Sequence, residues 1–296
     1  MRVVIAGASG FLGSHLSDHL RVHGHEVTAL VRGPARDAHE SQWDPYAGQL
    51  DAEVIEAADV VVNLAGAPLV GNVHSRKWAE QVLQSRVVTT RVLAGTIAAG
   101  ERKPALLAGN GISYYGDHGS EQVTEASDSR GDAFLTRVTH AWQAATEPAA
   151  ETGARVCVLR SAPVMDRMSP PLRQLRPLFW LGLGARLGDG SQHMPMVSLR
   201  DWVGAVAFLA ESHDVSGPFN ICCPEPPTNA EFTRALAQAL GRPSFLAAPR
   251  LVLEKATGPM ASALLSSVNA RPAALERAGY DFQDQDVRDV LATALA

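Results

Sequence analysis

Apolar residues fill positions 3–6 without interruption and then recur every fourth residue at Leu12, Leu16 and Leu20. A short continuous run predicts a buried strand, and a four-residue recurrence predicts one apolar helix face. Gly24 and His25 end that helix, and a second apolar run occupies 26–31. The turn between the first strand and helix reads Gly7-Ala8-Ser9-Gly10-Phe11-Leu12-Gly13. Strand, glycine turn, helix and strand within about thirty residues predict a right-handed parallel crossover. The alternation then repeats. Strands are expected at 59–64, 105–108 and 155–160, with helices at about 78–99 and 134–152. This order belongs to the α/β class: a Rossmann-type, doubly wound parallel sheet with helices on both faces.

The texture changes after Ala162. Pro163, Pro170, Pro171 and Pro177 interrupt the chain, and glycine pairs at 182–184 and 188–190 add turns. The expected organisation is a nucleotide-binding domain at 1–162 and a smaller substrate-binding lobe at 163–296. A strand at 218–222 is expected to return to the main sheet. Helices are expected at 201–211, with Asp201 as cap, and from Thr228 to about 240, followed by 250–265 and 284–294.

Composition narrows the function. A net charge of −5 supplies no basic field for nucleic acid or for an anionic membrane as the main partner. No apolar run reaches the length of a membrane span, and the first residues lack the order of a signal peptide. Three cysteines, two of them adjacent, fit a reducing cytoplasm better than a disulfide framework. The expected location is cytoplasmic, as a monomer or homodimer. No metal-ligand spacing and no Gly-x-Ser-x-Gly element occurs, so metal chemistry and a serine nucleophile elbow have no support.

The glycine turn carries the strongest chemistry. Gly7 permits the turn, Gly10 lets backbone approach a pyrophosphate, and Gly13 lets helix and sheet pack closely. With Ser9, Phe11 and Leu12 they present unpaired amides at the positive end of a helix dipole. The end of the second strand selects the cofactor. An acidic residue there would bind the ribose hydroxyls of NAD; here Arg32 follows Val31, where a guanidinium can pair with the 2′-phosphate of NADP. A solvated surface charge is the plain alternative for Arg32. Asn63, Leu64, Ala65 and Gly66 follow the next central strand and leave room for a nucleotide, although Asn63 could equally tie loops together. Arg86 is open between the cofactor and a helix-linking role.

These glycines and Arg32, with Asn63-Leu64-Ala65-Gly66-Ala67-Pro68, Ser85-Arg86-Val87 and Tyr114-Tyr115-Gly116, resemble the extended short-chain dehydrogenase/reductase superfamily. Leu187-Gly188-Asp189-Gly190-Ser191-Gln192 and Gly217-Pro218-Phe219-Asn220 narrow the likeness. The chain resembles the atypical NAD-dependent epimerase/dehydratase-like family of little-characterised bacterial and mitochondrial proteins. The resemblance implies Arg32 at the NADP phosphate and Asn63, Leu64 and Arg86 near the cofactor. It also implies Pro163 and Val164 near the nicotinamide.

The usual acid–base apparatus is missing. Ordinary members pair a tyrosine with a lysine four residues on, one helical turn apart. None of Tyr46, Tyr114, Tyr115 and Tyr280 has that lysine, and the expected helix reads Phe134-Leu135-Thr136-Arg137-Val138-Thr139. The serine place falls at Asn110, beside the cofactor, with an amide in place of a hydroxyl. Asn110, Tyr114 and Tyr115 are the weak catalytic candidates, with Arg137 and His140 as further proton carriers. Phe179, Trp180, Gln192, His193, Met194, Met196 and Trp202 form either a substrate pocket or a core. The leading expectation is an NADP-dependent oxidoreductase or epimerase-like enzyme acting on a small molecule. The alternative is a non-catalytic NADP-binding redox sensor or assembly protein.

Overall fold

The computed structural model describes residues 1–296. Seven strands form the main sheet: β1 (Arg2–Ala6), β2 (Glu26–Val31), β3 (Glu40–Gln42), β4 (Val60–Asn63), β5 (Ala105–Gly111), β6 (Val156–Ser161) and β7 (Gly217–Ile221). Their order across the sheet is β7-β6-β5-β4-β1-β2-β3. The pairs β1–β2, β1–β4, β2–β3 and β4–β5 are parallel. With flanking helices this is a Rossmann-type arrangement. The strand order reverses between β1 and β4, and ligands of such sheets bind outside the carboxyl ends at that point. Register matters here. Ala6 lies opposite both Leu30 and Asn63, and Asn63 lies opposite Ala108. The residues that follow therefore leave the sheet side by side.

Eight of the helices are α1 (Phe11–Val22), α2 (Ala52–Ala57), α3 (Arg76–Ala99), α4 (Phe134–Ala144), α5 (Glu147–Glu151), α6 (Pro170–Trp180), α7 (Leu199–Glu211) and α8 (Asn229–Ala239). Where one helix was expected at 134–152, two occur. Pro148 has no amide to give and its ring would meet the carbonyl of residue 144, so α4 stops and α5 restarts with proline in its first turn. The expected helix at 250–265 is also broken, into Arg250–Thr257, the 3₁₀ turn Gly258–Met260 and Ala261–Leu265. Gly258, with φ of +48°, and Pro259 divide it. The tail adds Ala273–Ala278 and Val287–Leu295, the latter capped by the Asp286 carboxylate.

Two compact units interleave along the chain. The first comprises Met1–Asn110, Val138–Leu159 and Val203–Pro218; the second comprises Gly111–Arg137, Arg160–Trp202 and Phe219–Ala296. Val4, Leu30, Val61, Leu93, Ile97, Leu106 and Val158 are part of the first unit's core. The second unit has one cluster around Leu172, Phe179, Met196, Phe232 and Leu291, and another around Tyr115, Val123, Cys222 and Ala270. No helix is long and apolar enough to cross a membrane.

Candidate functional site

The glycine turn is built as close packing demands. Gly7 has φ of +85°, and a β-carbon on it would stand 2.7 Å from the carbonyl carbon of Leu64. At Gly13 a β-carbon would stand 2.2 Å from the Gly7 oxygen. Neither place admits a side chain. Gly10 is the N-cap of α1, and no side chain hydrogen-bonds to the helix start. No acidic residue lies in the first turn. The amides of Phe11, Leu12 and Gly13 therefore keep the capacity to bind an anion, and the helix dipole favours one. Ser9 and Gly10 are exposed in front of them.

Arg32 follows the last residue of β2, beside this turn in the sheet order. It is exposed and takes part in no ion pair or side-chain hydrogen bond. Arg36, four residues on, is committed to Glu40 at 2.6 Å. Of these two guanidinium groups, Arg36 is paired with a carboxylate and Arg32 is not.

Asn63 is fully buried. Its amide donates to the hydroxyls of Thr90 at 2.8 Å and Thr89 at 3.3 Å, and its carbonyl oxygen accepts from the Ala65 amide at 3.1 Å. The side chain thus bends the strand end into Leu64, Ala65 and Gly66, and it fastens that bend to α3. Arg86 ties the same loop to the same helix, since its Nη1 donates to the carbonyls of Ala67 and Val82. The guanidinium lies 5.2 Å from the Trp142 ring centre and close beside Gly66. Burial alone pushes it down to about 10, with no carboxylate offsetting the cost. Asn110 is buried at the end of β5, and its amide donates to the Thr139 carbonyl at 3.0 Å. This bond identifies the part of α4 that faces β5, and Gln143 lies one turn beyond it.

Pro163, Val164, Tyr114 and Tyr115 belong to the second unit. Pro163 is exposed and precedes the short strand Val164–Met165, which pairs in parallel with Val197–Ser198. Tyr115 has no exposure; its hydroxyl donates to Asn220 Oδ1 at 2.7 Å and accepts from Arg160 Nη1 at 2.9 Å. Burial pushes its phenol up to about 12, against the pull of Arg160. Tyr114 is half-buried, with the Arg160 guanidinium 3.4 Å from its ring centre. Arg137 is exposed and donates to the Asp132 carbonyl, and His140 is exposed on α4.

The aromatic and methionine set resolves mainly into core. Phe179, Met196 and Trp202 are buried, and the Trp202 indole donates to Ser161 Oγ at 3.0 Å. Gln192 donates to the carbonyls of Leu187 and Leu264, whereas Trp180 is 57% exposed. Asp201 does not cap α7. Ser198 Oγ accepts from the Asp201 amide, and the Asp201 carboxylate accepts from Tyr280 Oη and from the amides of Gln283 and Asp284. A helix start and a distant loop are thereby joined. No group of three or more His, Cys, Asp or Glu side chains is arranged to hold a metal ion.

Comparison with known proteins matches residues 3–222 to a family described as NAD dependent epimerase/dehydratase. Residues 248–294 match a domain of unknown function. An epimerase family protein of Mycobacterium bovis is 38% identical over 99% of this chain and 97% of its own length. The human epimerase family protein SDR39U1 is 31% identical over the whole of both chains. The crystal structure of human SDR39U1 with NADPH has a TM-score of 0.88 at 28% identity, covering 99% of each chain. A nucleoside-diphosphate sugar epimerase from Corynebacterium glutamicum has a TM-score of 0.82 at 29% identity, covering all of this chain and 58% of that one.

Proposed function

Because the chain belongs to the NAD dependent epimerase/dehydratase family, we propose that it is an NADP-dependent oxidoreductase or epimerase-like enzyme acting on a small molecule. The observation that carries this reading is an uncapped helix start behind a turn closed to side chains, beside an unpaired Arg32. In this reading the amides of Phe11, Leu12 and Gly13 hold the diphosphate, with Ser9 and Gly10 at its side. Arg32 holds the 2′-phosphate. Leu64, Ala65 and Gly66 border the adenosine ribose, while Asn63 and Arg86 shape that border from behind. Asn110 flanks the cofactor, and Pro163 and Val164 belong to its nicotinamide end. The human relative solved with NADPH supports this choice of cofactor.

Tyr115 we assign to structure, since its hydroxyl is occupied and its proton is held far above neutrality. Tyr114 remains the better candidate to exchange a proton with substrate. Hydride chemistry is supplied by the nicotinamide when it is bound; the protein's part is to orient it and to provide the acid–base group.

Calorimetry with NADP and NAD tests the assignment. Losing a hydrogen bond to a charged group costs about 1.5–3 kcal/mol, so Arg32→Ala is expected to weaken NADP about 10- to 100-fold. NAD, which has no 2′-phosphate, should change by less than about threefold. Equal losses would overturn the role of Arg32. Turnover of a library of carbonyls, alcohols and nucleotide sugars, followed by NADPH absorbance and product analysis, tests catalysis. Tight NADP binding with complete inactivity would favour the non-catalytic sensor or assembly protein.

A further inference from the structure

The second unit carries an apolar surface that its own core leaves uncovered. Trp180 ends α6, Leu181 and Leu183 follow in the next turn, and Phe245, Leu251 and Val252 come from the segment 241–257. All six are exposed, Leu251, Leu181 and Phe245 to 72%, 74% and 79%. Side chains and backbone join the two segments. The Arg242 guanidinium lies 4.8 Å from the Trp180 ring centre. The strand Leu246–Ala248 runs parallel to Ala185–Leu187, with Leu246 opposite Ala185. From Arg250 to Leu265 the two helices and the 3₁₀ turn between them contain no buried residue, although Leu253, Met260, Leu264 and Leu265 also lie there. Apolar surface gathered in this way marks an interaction site.

Charge around this surface selects its partner. Segments 170–190 and 241–257 hold six cations, Arg173, Arg176, Arg186, Arg242, Arg250 and Lys255, and two carboxylates, Asp189 and Glu254. Glu254 is taken by Arg250 at 2.8 Å, and Asp189 accepts from Ser191. Spacing sets exposed cations beside the apolar side chains. Arg173 precedes Trp180 by two helical turns, and Lys255 lies one turn beyond Leu251. Arg186 stands opposite Ala247, two residues from Phe245 on the same strand face. The whole chain has a net charge of −5, so the positive field is local and the total conceals it. A second copy would set these cations against themselves across a two-fold axis. The fitting partner is apolar and anionic together.

We propose that this face docks on the anionic surface of a lipid bilayer. The tryptophan, phenylalanine and leucine side chains enter the headgroup boundary, and the arginines and Lys255 meet the lipid phosphates. Tryptophan favours that boundary, and long basic side chains lay an apolar stem on it while keeping the charge at the phosphates. Attachment is peripheral, since no helix is long and apolar enough to cross a membrane. It does not depend on the nucleotide assignment.

Co-sedimentation of the full chain with vesicles tests the proposal, using phosphatidylcholine alone and phosphatidylcholine mixed equally with phosphatidylglycerol. Binding is expected to the mixed vesicles, with little to phosphatidylcholine alone, and should weaken as added salt screens the charges. Burying one large apolar side chain is worth roughly 10- to 100-fold, so Phe245→Ser and Leu251→Ser should each weaken binding at least about tenfold. Arg242→Gln should cost about fivefold. Val22→Ser, at a position 83% exposed on the first unit, should stay within about threefold. All four positions are exposed, so the variants are expected to keep the native circular dichroism. No binding to the mixed vesicles, equal binding to both kinds, or undiminished binding by Phe245→Ser and Leu251→Ser would overturn the proposal. So would a dimer in light scattering that Phe245→Ser turns into a monomer, because a second copy would then cover the face.

Discussion

Gly13 is demanded by its neighbour. An added β-carbon would meet the Gly7 carbonyl oxygen at 2.2 Å and Ala8 Cα at 2.8 Å, so alanine must force the turn away from α1. Overpacking of this kind costs about 1–3 kcal/mol. Gly95 lies inside α3 with nothing within 4 Å of the same added atom. Alanine there gains helix propensity worth roughly 0.5–1 kcal/mol. Thermal unfolding of Gly13→Ala and Gly95→Ala should therefore shift in opposite directions, and a common direction would refute the packing argument. Tyr115 poses a separate residue-scale question. Tyr115→Phe leaves Asn220 and Arg160 each short of one partner, which is expected to lower stability by about 1–3 kcal/mol in urea without weakening NADP. The close-packed glycine turn and the place of Arg32 just after β2 were readable because a strand, its turn and the next strand end are local. The fate of Tyr115 was not, because its partners stand 45 and 105 positions away. The same distance hid Asp201: its acceptor role depends on residues some eighty positions later.

Helix ends show where local reading succeeds. Thr228 and Glu231 form a reciprocal capping box, Thr228 Oγ1 accepting from the Glu231 amide while the Glu231 carboxylate accepts from the Thr228 amide. Everything it needs lies within three residues, so Thr228 could be named as a cap from sequence. Replacing it with alanine is expected to cost about 1 kcal/mol, visible as a lower denaturant midpoint with an unchanged slope. A change in slope would point instead to loss of a whole element. Proline was harder to place. Pro170 and Pro171 read as interruptions, yet they open α6, where a missing amide costs nothing and a fixed φ helps. Pro148 and Pro259 act in the other sense, each coinciding with a break in an expected helix. The strand β3, Glu-Ser-Gln, has no apolar pattern at all; it exists because β2 offers it an edge.

At the scale of the whole molecule, both compact units are assembled from three separated segments, whereas the change of texture after Ala162 is a property of one linear stretch. Composition along a chain reports what each segment is suited to, and long-range clamps decide which segments pack together. Glu125 is such a clamp in the second unit. Its carboxylate accepts from the Asn220 amide on β7 and from the Ala274 amide, both at 3.0 Å. Burial pushes its carboxyl above the ordinary 4.5, and the two amides only partly offset this. The sign follows from linkage. Between the ordinary value and the raised one, the folded chain holds a proton that the unfolded chain has released, so stability falls as pH rises through that window. Glu125→Gln has no such proton to lose. The advantage of the native chain over Glu125→Gln should therefore be greatest below the ordinary carboxylate value. It should shrink by about 1.4 kcal/mol for each unit of upward displacement as pH rises, and then become level above the displaced value. Urea unfolding of both proteins at closely spaced pH values would measure this difference. An advantage that grows with pH would mean that the two amides outweigh burial and that Glu125 binds them as a stabilised carboxylate.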